Sequence, residues 1–375
     1  MNFSRLADYL NGILDRYDIP GWQCAVSYKG NLVFSECGGY RDREAGIPMK
    51  NDDLFWMYST TKLTTMTAVS QLLSDGCLRL EDRLSDYLPE FRVMRVKTPA
   101  GFRVVETPIT IRHLMTMTSG LSYDISPCRS YAERNPNAST EEIVTQLASL
   151  PLSFEPGTHF LYSMAHDVLA AVCERITGMR FADYVMENIF LPLGMKDTLF
   201  GMTAERRKRL VSQYRRDASG THSERRDGEC VFCFTDRYDS GGAGLSSNAE
   251  DYLRLPAALA NKGCFHGKQI LSPEAIDLLR TPQLIGDAKL DFARWHNRPG
   301  YQYALGVRTL VNPENANDPF PPGEFGWDGA AGAIATASPE TGIAFCFTMQ
   351  VTGCRDAYHV IHPQIRNLVF EASLQ

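Results

Sequence analysis

The N-terminal part of the chain has the pattern of a helix followed by a β-hairpin. Apolar residues recur on one helical face over the first 17 residues. They are Leu6, Leu10, Ile13 and Tyr17. Two apolar-rich stretches follow at 24–28 and 32–36, and Lys29-Gly30-Asn31 between them is typical of a tight turn. The pattern predicts an amphipathic helix and two paired strands.

The C-terminal third adds strands, whereas the middle of the chain is mostly helical. Apolar runs at about 304–310, 331–337 and 343–351 predict strands, and residues from about 360 to 373 predict a closing helix. Residues from about 55 to 237 have mainly helical patterns. Because strand-forming segments lie at both ends of the sequence, the two ends are expected to form one sheet.

The predicted fold is therefore an α/β part joined to an all-α part. Residues 1–54 and 238–375 are expected to form an α/β lobe, whose antiparallel sheet is flanked by the terminal helices. Residues 55–237 are expected to form an inserted, mainly helical lobe. The polar stretch 215–228 is expected to be a mobile surface loop.

One motif in the middle segment carries the first candidate chemistry. Ser59 is the only serine in the chain followed three positions later by a lysine, Lys62. An apolar helix is predicted from about residue 60 to 71, so the two side chains would share one face. A serine hydroxyl becomes a good nucleophile when a base takes its proton, and a buried lysine can be that base. The alternative is a helix-capping serine followed by a solvated lysine.

Two further motifs lie downstream. Tyr162-Ser163-Met164 follows a turn and precedes a predicted helix at 165–177, and Trp327-Asp328-Gly329 leads into the strand at 331–337. The pair Ser59 and Lys62, then Tyr162-Ser163-Met164, then Trp327-Asp328-Gly329 follow one another in this order along the chain. In this respect the sequence resembles the serine β-lactamase and penicillin-binding-protein superfamily, and within it the class C β-lactamase-like carboxylesterases.

The resemblance extends over nearly the whole chain. Recurring phrases of the family are matched at 21–26, 76–91, 110–121, 192–198 and 241–252. The resemblance implies a β-lactamase-like fold of two lobes with the active site in the cleft between them. It also implies an acyl-enzyme mechanism.

Residue roles follow from the matched motifs. The resemblance implies Ser59 as nucleophile, and Lys62 and Tyr162 as the groups that move protons. The backbone N–H groups of Ser59 and Ala330 would form the oxyanion hole. The expected substrate-contacting residues are Met164, Trp327, Asp328 and Gly329.

Departures from the family pattern favour an esterase. β-Lactamases and penicillin-binding proteins of the family place an asparagine where this chain has Met164, and a lysine or histidine where it has Trp327. Methionine lacks the amide that binds substrate amides, and tryptophan lacks the cation that binds a substrate carboxylate. Asp328 would add negative charge nearby and disfavour anionic substrates, unless it points away.

Composition and charge limit the classes of binding partner and the cellular compartment that we expect for this protein. The net charge of −6 argues against a nucleic-acid or anionic-membrane surface as the main partner, and no apolar run has the length of a membrane span. The ten cysteines are scattered and no export signal is visible, which predicts the reducing cytoplasm. The one C-x-x-C, Cys230 to Cys233, has no second ligand pair nearby, which disfavours a zinc or redox role. The histidines have no metal-ligand spacing, and His166-Asp167 is interpreted as helix surface. We expect a small-molecule ester substrate and no cofactor or metal, and the oligomeric state stays open.

The sequence leaves four functions open. The favoured one is a serine hydrolase that cleaves carboxylic esters through an acyl-enzyme on Ser59. An acyltransferase would use the same acyl-enzyme, so the sequence does not separate the two. An amide hydrolase of the β-lactamase or D-amino-acid peptidase type is disfavoured by Met164 and Trp327. A non-enzymatic sensor that acylates and stalls is disfavoured by the intact Ser59, Lys62 and Tyr162.

Overall fold

A computed structural model describes residues 1–226 and 230–373, and its largest element is an eight-stranded sheet. Neighbouring strands in this sheet are all antiparallel. In their order across the sheet they are Tyr301–Tyr303, Arg308–Leu310, Phe325–Asp328, Ile334–Ser338, Ile343–Met349, Gly21–Tyr28, Asn31–Asp42 and Ile47–Pro48. The predicted sheet built from both ends of the chain is confirmed.

The α-helices lie around this sheet and in the middle of the chain. They are Ser4–Arg16, Thr61–Ser74, Leu84–Tyr87, Ile111–Met115, Ser126–Arg134, Thr140–Val144, Ala165–Thr177, Phe181–Val185, Leu191–Leu193, Ala204–Arg207, Ala249–Ala260, Pro273–Arg280, Gly286–His296, Pro313–Ala316 and His362–Ser373. Single 3-10 or π turns occur at Tyr58–Thr60, Pro89–Arg92, Thr145–Ser149, Met186–Phe190 and Ala357–Ile361. No helix within the described ranges is long and apolar enough to cross a membrane.

Short strands complete the architecture. They are Phe55–Trp56, Arg95–Thr98, Gly101–Val104, Leu199–Phe200, Gln213–Arg216, Ser223–Arg226, Leu245–Ser247, Cys264–Phe265, Lys268–Gln269 and Val351–Thr352. The strand Leu245–Ser247 pairs with Phe55–Trp56. This pairing brings the segment before Ser59 beside the segment that follows Gly242.

Both faces of the large sheet are covered. On one face, Val26 and Phe345 pack in a core with Leu10 of the first helix and Ile365 of the last. On the other face, Ala25 belongs to a second core, which also contains residues of the helix Ala249–Ala260. Strand Gly21–Tyr28 is therefore buried on nearly every residue, as is usual for a strand covered on both faces.

The first hairpin forms where the sequence predicts it. Strand Gly21–Tyr28 pairs with Asn31–Asp42, and Lys29 and Gly30 between them have φ of 50° and 80°. A two-residue hairpin turn of this hand needs positive φ at both positions, which glycine adopts without cost.

Two predicted elements differ in the structure. The run at 304–310 is not one strand, because the chain turns at Gly306, where φ is 77° and a Cβ would lie 2.4 Å from Met66. The stretch 215–228 is only partly a loop: residues 215–216 and 223–226 belong to the paired strands Gln213–Arg216 and Ser223–Arg226, and residues 217–222 form the loop between them. Arg216 of the first strand donates a 3.0 Å hydrogen bond to Ser223 Oγ of the second. Residues 227 and 228 lie outside the described ranges.

The lobe boundaries remain a proposal. We propose 1–54 with 238–375 as the α/β lobe and 55–237 as the helical lobe. This division keeps all strands of the large sheet in the first part.

Candidate active site

Ser59 is placed by a strained turn at the start of a buried helix. It lies in the single turn Tyr58–Thr60, directly before the helix Thr61–Ser74. Tyr58 has a φ of 46°, a left-handed conformation that costs a bulky residue roughly 1–3 kcal/mol. The Tyr58 hydroxyl donates a hydrogen bond to Gln213, which helps to hold this conformation. The turn leaves Ser59 partly exposed.

Lys62 lies one helical turn from Ser59, as the spacing predicted. Its side chain is 0% exposed. Its Nζ lies 3.2 Å from Ser59 Oγ and donates a 2.8 Å hydrogen bond to the carbonyl oxygen of Gly242. The lysine is therefore a buried amine within hydrogen-bond distance of the serine hydroxyl, which is the geometry that a base for Ser59 requires.

A buried carboxylate lies behind Lys62. Asp167 accepts hydrogen bonds from Tyr238 Oη at 2.8 Å and Ser240 Oγ at 2.5 Å. A Cβ at Gly242 would lie 2.4 Å from Asp167 Oδ2 and 3.4 Å from Lys62 Nζ. Burial raises the pKa of the Asp167 carboxyl, while Ser240 and Lys62 act in the opposite direction. Asp167 is thus a buried carboxyl group close to the buried amine, with Gly242 beside both.

The sequence interpretation of His166-Asp167 as helix surface is wrong. Both side chains are fully buried, because the helix Ala165–Thr177 is enclosed over its first nine residues. Burial, and then the charge of Lys62, lower the pKa of His166 well below its ordinary value. His166 therefore remains neutral at neutral pH.

Tyr162 belongs to a stack of aromatic rings beside Ser59. Its ring lies 4.7 Å from Lys62 Nζ, and its hydroxyl accepts a 3.0 Å hydrogen bond from Trp327 Nε1. The rings stacked on Tyr162 have centroid distances of 5.6 Å for Tyr123, 4.9 Å for Trp295 and 5.7 Å for Trp327. The stack fixes the position of the phenol relative to the amine.

Tyr123 is a site residue that the sequence motifs did not indicate. It is hydrogen-bonded to Ser59, and burial raises its pKa well above the ordinary value for tyrosine. Its phenol therefore stays protonated and can donate to an oxygen at the site. Tyr123 stands two residues after Leu121, the end of a matched family phrase, and that proximity was the only signal in the sequence.

A cavity of about 370 Å³ opens over Ser59 and contains most of the predicted site. The predicted residues that line it are Ser59, Tyr162, Trp327, Asp328, Gly329 and Ala330. The lining residues that no sequence motif singled out are Trp295, His296, Arg298, Tyr358 and His359. Trp295 is 50% exposed, so its ring is available to a ligand.

Met164 is not among the residues that line this cavity. Its side chain is fully buried in the hydrophobic core, at the start of the helix Ala165–Thr177. The expected direct contact between Met164 and a substrate therefore has no support in the structure.

The turn after Trp327 packs against the turn that carries Ser59. A Cβ at Gly329 would lie 2.5 Å from the carbonyl oxygen of Met57 and 3.0 Å from Thr60 Oγ1, so only glycine allows this approach. The Gly329 carbonyl also accepts a 2.8 Å hydrogen bond from Tyr358 Oη. This packing brings Ala330 and Ser59 to the same cavity.

Asp328 does not present an unpaired negative charge, so the expected repulsion of anions is wrong. Its carboxylate lies 3.3 Å from Arg298 Nη1 and 3.5 Å from Arg308 Nη2. Burial alone would raise its pKa, but Arg308 and Arg298 outweigh burial and lower the pKa to about 2. Two cations thus more than balance the carboxylate.

Replacing Gly242 with alanine is expected to lower kcat by tenfold or more and to destabilise the fold by about 1–3 kcal/mol. The added methyl group would displace Asp167, Lys62 or both. Thermal unfolding and ester hydrolysis would be measured on the same preparation.

The matched control is Gly12→Ala on the exposed face of the first helix, where a Cβ meets no atom within 4 Å. That change is expected to stabilise by about 0.5–1 kcal/mol with unchanged kcat. Full activity of Gly242→Ala would show that Lys62 needs no fixed position.

Comparison with known proteins agrees with the fold. A family model described as Beta-lactamase matches residues 6–361. Esterase EstB of Burkholderia gladioli is 32% identical over 362 residues, covering 88% of this chain and 87% of EstB. Acyltransferase calJ of Penicillium decumbens is 29% identical over 354 residues, covering 86% of this chain and 81% of that protein. The solved structure of EstCE1, a hydrolase with promiscuous acyltransferase activity, matches with a TM-score of 0.82 and 26% identity over 98% of each chain.

Fold, site and comparisons together define an enzyme of the serine hydrolase class. The chain belongs to the β-lactamase family, and its relatives include esterases and acyltransferases. The family resemblance and the fold class predicted from the sequence are confirmed.

Proposed function

We propose that this enzyme cleaves carboxylic esters through an acyl-enzyme on Ser59. The observation that carries the proposal is the fully buried Lys62 amine, 3.2 Å from Ser59 Oγ at the wall of an aromatic cavity. The similarity to Esterase EstB supports an ester as the substrate.

The first half of the reaction forms the acyl-enzyme. Lys62 takes the proton from Ser59 as the hydroxyl oxygen attacks the ester carbonyl carbon. The negative charge that develops on the carbonyl oxygen is held by the backbone N–H groups of Ser59 and Ala330. When the tetrahedral intermediate collapses, the bond to the alcohol oxygen breaks and Tyr162 supplies the proton that the alcohol needs.

The second half releases the acid. Tyr162, now deprotonated, takes a proton from water as that water attacks the acyl carbonyl carbon. Collapse of this second intermediate breaks the bond to Ser59 Oγ, which recovers its proton from Lys62. The hydrogen bond from Trp327 Nε1 to Tyr162 Oη stabilises the phenolate between the two halves.

An ester is expected to be a much better substrate than a β-lactam. Trp327 stands where β-lactamases of the family have a cation, and its N–H is used by Tyr162. Met164 supplies no amide to bind the lactam. The family's cation binds the lactam carboxylate at the position of Trp327, and the loss of that charge-assisted contact costs roughly 1.5–3 kcal/mol, or about ten- to hundredfold in kcat/KM.

This specificity is tested by comparing kcat/KM for a butyrate ester with that for ring opening of a chromogenic cephalosporin. A ratio of at least ten in favour of the ester is expected. Equal handling of the two substrates would show that Trp327 and Met164 do not set the specificity.

The second candidate function is transfer of the acyl group to an alcohol. Acyltransferase calJ and EstCE1 favour it by similarity. The half-exposed Trp295 ring gives a second molecule an apolar surface beside Ser59. Product analysis with and without an added alcohol separates the two functions, because transfer yields a new ester whereas hydrolysis yields only the acid.

We also propose that the enzyme works in the cytoplasm. The support is chemical: its ten cysteines are scattered thiols, which a reducing compartment preserves.

A further inference from the structure

One wall of the active-site cavity is charged, whereas the rings of Tyr162, Trp295 and Trp327 make another wall aromatic. The charged wall is formed by His296, Arg298 and Asp328. Arg308 and His362 lie behind it with no exposed surface. Neither the serine nor the amine chemistry proposed above uses these five residues.

Several polar atoms of this wall are buried without a hydrogen-bond partner among the described residues. They include all three guanidinium nitrogens of Arg308 and Asp328 Oδ1. The ion pairs to Asp328 are long, at 3.3 Å from Arg298 and 3.5 Å from Arg308. Buried polar atoms are nearly always hydrogen-bonded in folded proteins, so the polar groups behind this wall are under-satisfied. Of the two arginines, Arg298 is the one that lines the cavity and can reach a ligand.

The charges of the wall do not cancel. Two arginines face one carboxylate, which leaves one positive charge in excess. The histidines do not change this balance, because burial lowers the pKa of His296 to about 3 and of His362 to about 4. Both are neutral at neutral pH.

The nearest further cation, Arg366, is paired with two carboxylates. Like Arg298 and Arg308, Arg366 lies within 5.7 Å of the centre of the Tyr301 ring. It is paired with Glu324 at 2.8 Å and with Asp318 at 2.5 Å. Arg366 thus faces two carboxylates, so the three arginines and three carboxylates are neutral as a whole. The positive excess is confined to Arg298, Arg308 and Asp328, beside the cavity.

We propose that this wall binds a carboxylate carried by the substrate, with Arg298 as its principal partner. A guanidinium presents a planar pair of N–H donors that fits a carboxylate. A carboxylate has one negative charge, which matches the excess on the wall, whereas a phosphate monoester would exceed it. The preferred substrates would then be esters with a free acid elsewhere in the molecule. This inference rests on the ester hydrolysis proposed above.

The test uses pairs of esters that differ in one charge. The first pair is the mono-4-nitrophenyl ester of glutaric acid and 4-nitrophenyl valerate, with the acid on the acyl side. The second is 4-acetoxybenzoate and 4-acetoxybenzamide, with the acid on the alcohol side. For at least one pair, the wild type is expected to show a kcat/KM ten- to hundredfold higher for the acid. Arg298→Gln is expected to lower that ratio at least tenfold, and Arg298→Lys to restore part of it.

Arg294→Gln is the matched control. Arg294 lies on the helix Gly286–His296 with 77% of its side chain exposed, and it does not line this cavity. The same loss of charge there should leave the ratio unchanged.

The outcomes separate the two proposals. Neutral and acidic esters handled alike by the wild type in both pairs would overturn the carboxylate site, and this result needs no variant to fold. An acid preference that survives Arg298→Gln would overturn it as well. Failure to hydrolyse any ester would instead overturn the proposed function.

Discussion

Replacing Ser59 with alanine is expected to lower ester hydrolysis by about 10⁴-fold or more while leaving the fold intact. The hydroxyl supplies the nucleophile, and Ser59 is partly exposed, so its loss removes little packing. Hydrolysis of a 4-nitrophenyl ester and thermal unfolding would be measured on the same preparation.

Ser163→Ala is the matched control for this prediction. Ser163 is a buried serine beside Tyr162, and its hydroxyl is directed to Met117 Sδ at 3.4 Å, a weak acceptor. This variant should keep most of the activity. More than a few per cent of activity in a clean preparation of Ser59→Ala would mean that another residue is the nucleophile.

The second large effect concerns the two groups that move protons. Lys62→Ala and Tyr162→Phe are each expected to lower kcat by orders of magnitude, and the double variant to be little worse than either single one. Lys62 Nζ lies 3.2 Å from Ser59 Oγ and 4.7 Å from the Tyr162 ring centroid, so the three groups form one contiguous unit. Residues that act as a unit are not additive when removed.

A double-mutant cycle on kcat measures this coupling. Losses that multiply would show that Lys62 and Tyr162 contribute independently and do not share a proton relay. Tyr162→Phe retains the aromatic stack, so its effect reports on the hydroxyl rather than on packing.

The sequence was most informative where the geometry is local. Ser59 and Lys62 are three positions apart on one helix, and helical geometry alone brings them together. The hairpin at Lys29 and Gly30 was predictable for the same reason, since a tight turn needs the residue types found there. Placing Tyr162 and Trp327 at the same site required the family resemblance, because they lie in distant segments.

What the sequence did not predict depends on contacts between distant segments. Asp167 has the pattern of an exposed helix residue, and its burial depends on Tyr238 and Ser240 from another part of the chain. Asp328 was likewise expected to add negative charge to the site. In the structure its carboxylate is paired with Arg298 and Arg308. Such partners leave no periodic signal in a single sequence.

The central claim is that the acyl group is carried by Ser59, and labelling of the folded enzyme tests it most directly. The enzyme would be treated with a labelled fluorophosphonate, digested, and mapped by mass spectrometry. One adduct is expected, on the peptide that contains Ser59, and prior incubation with an ester substrate should slow its formation. A label on any other serine, or an active enzyme that remains unlabelled, would contradict the account.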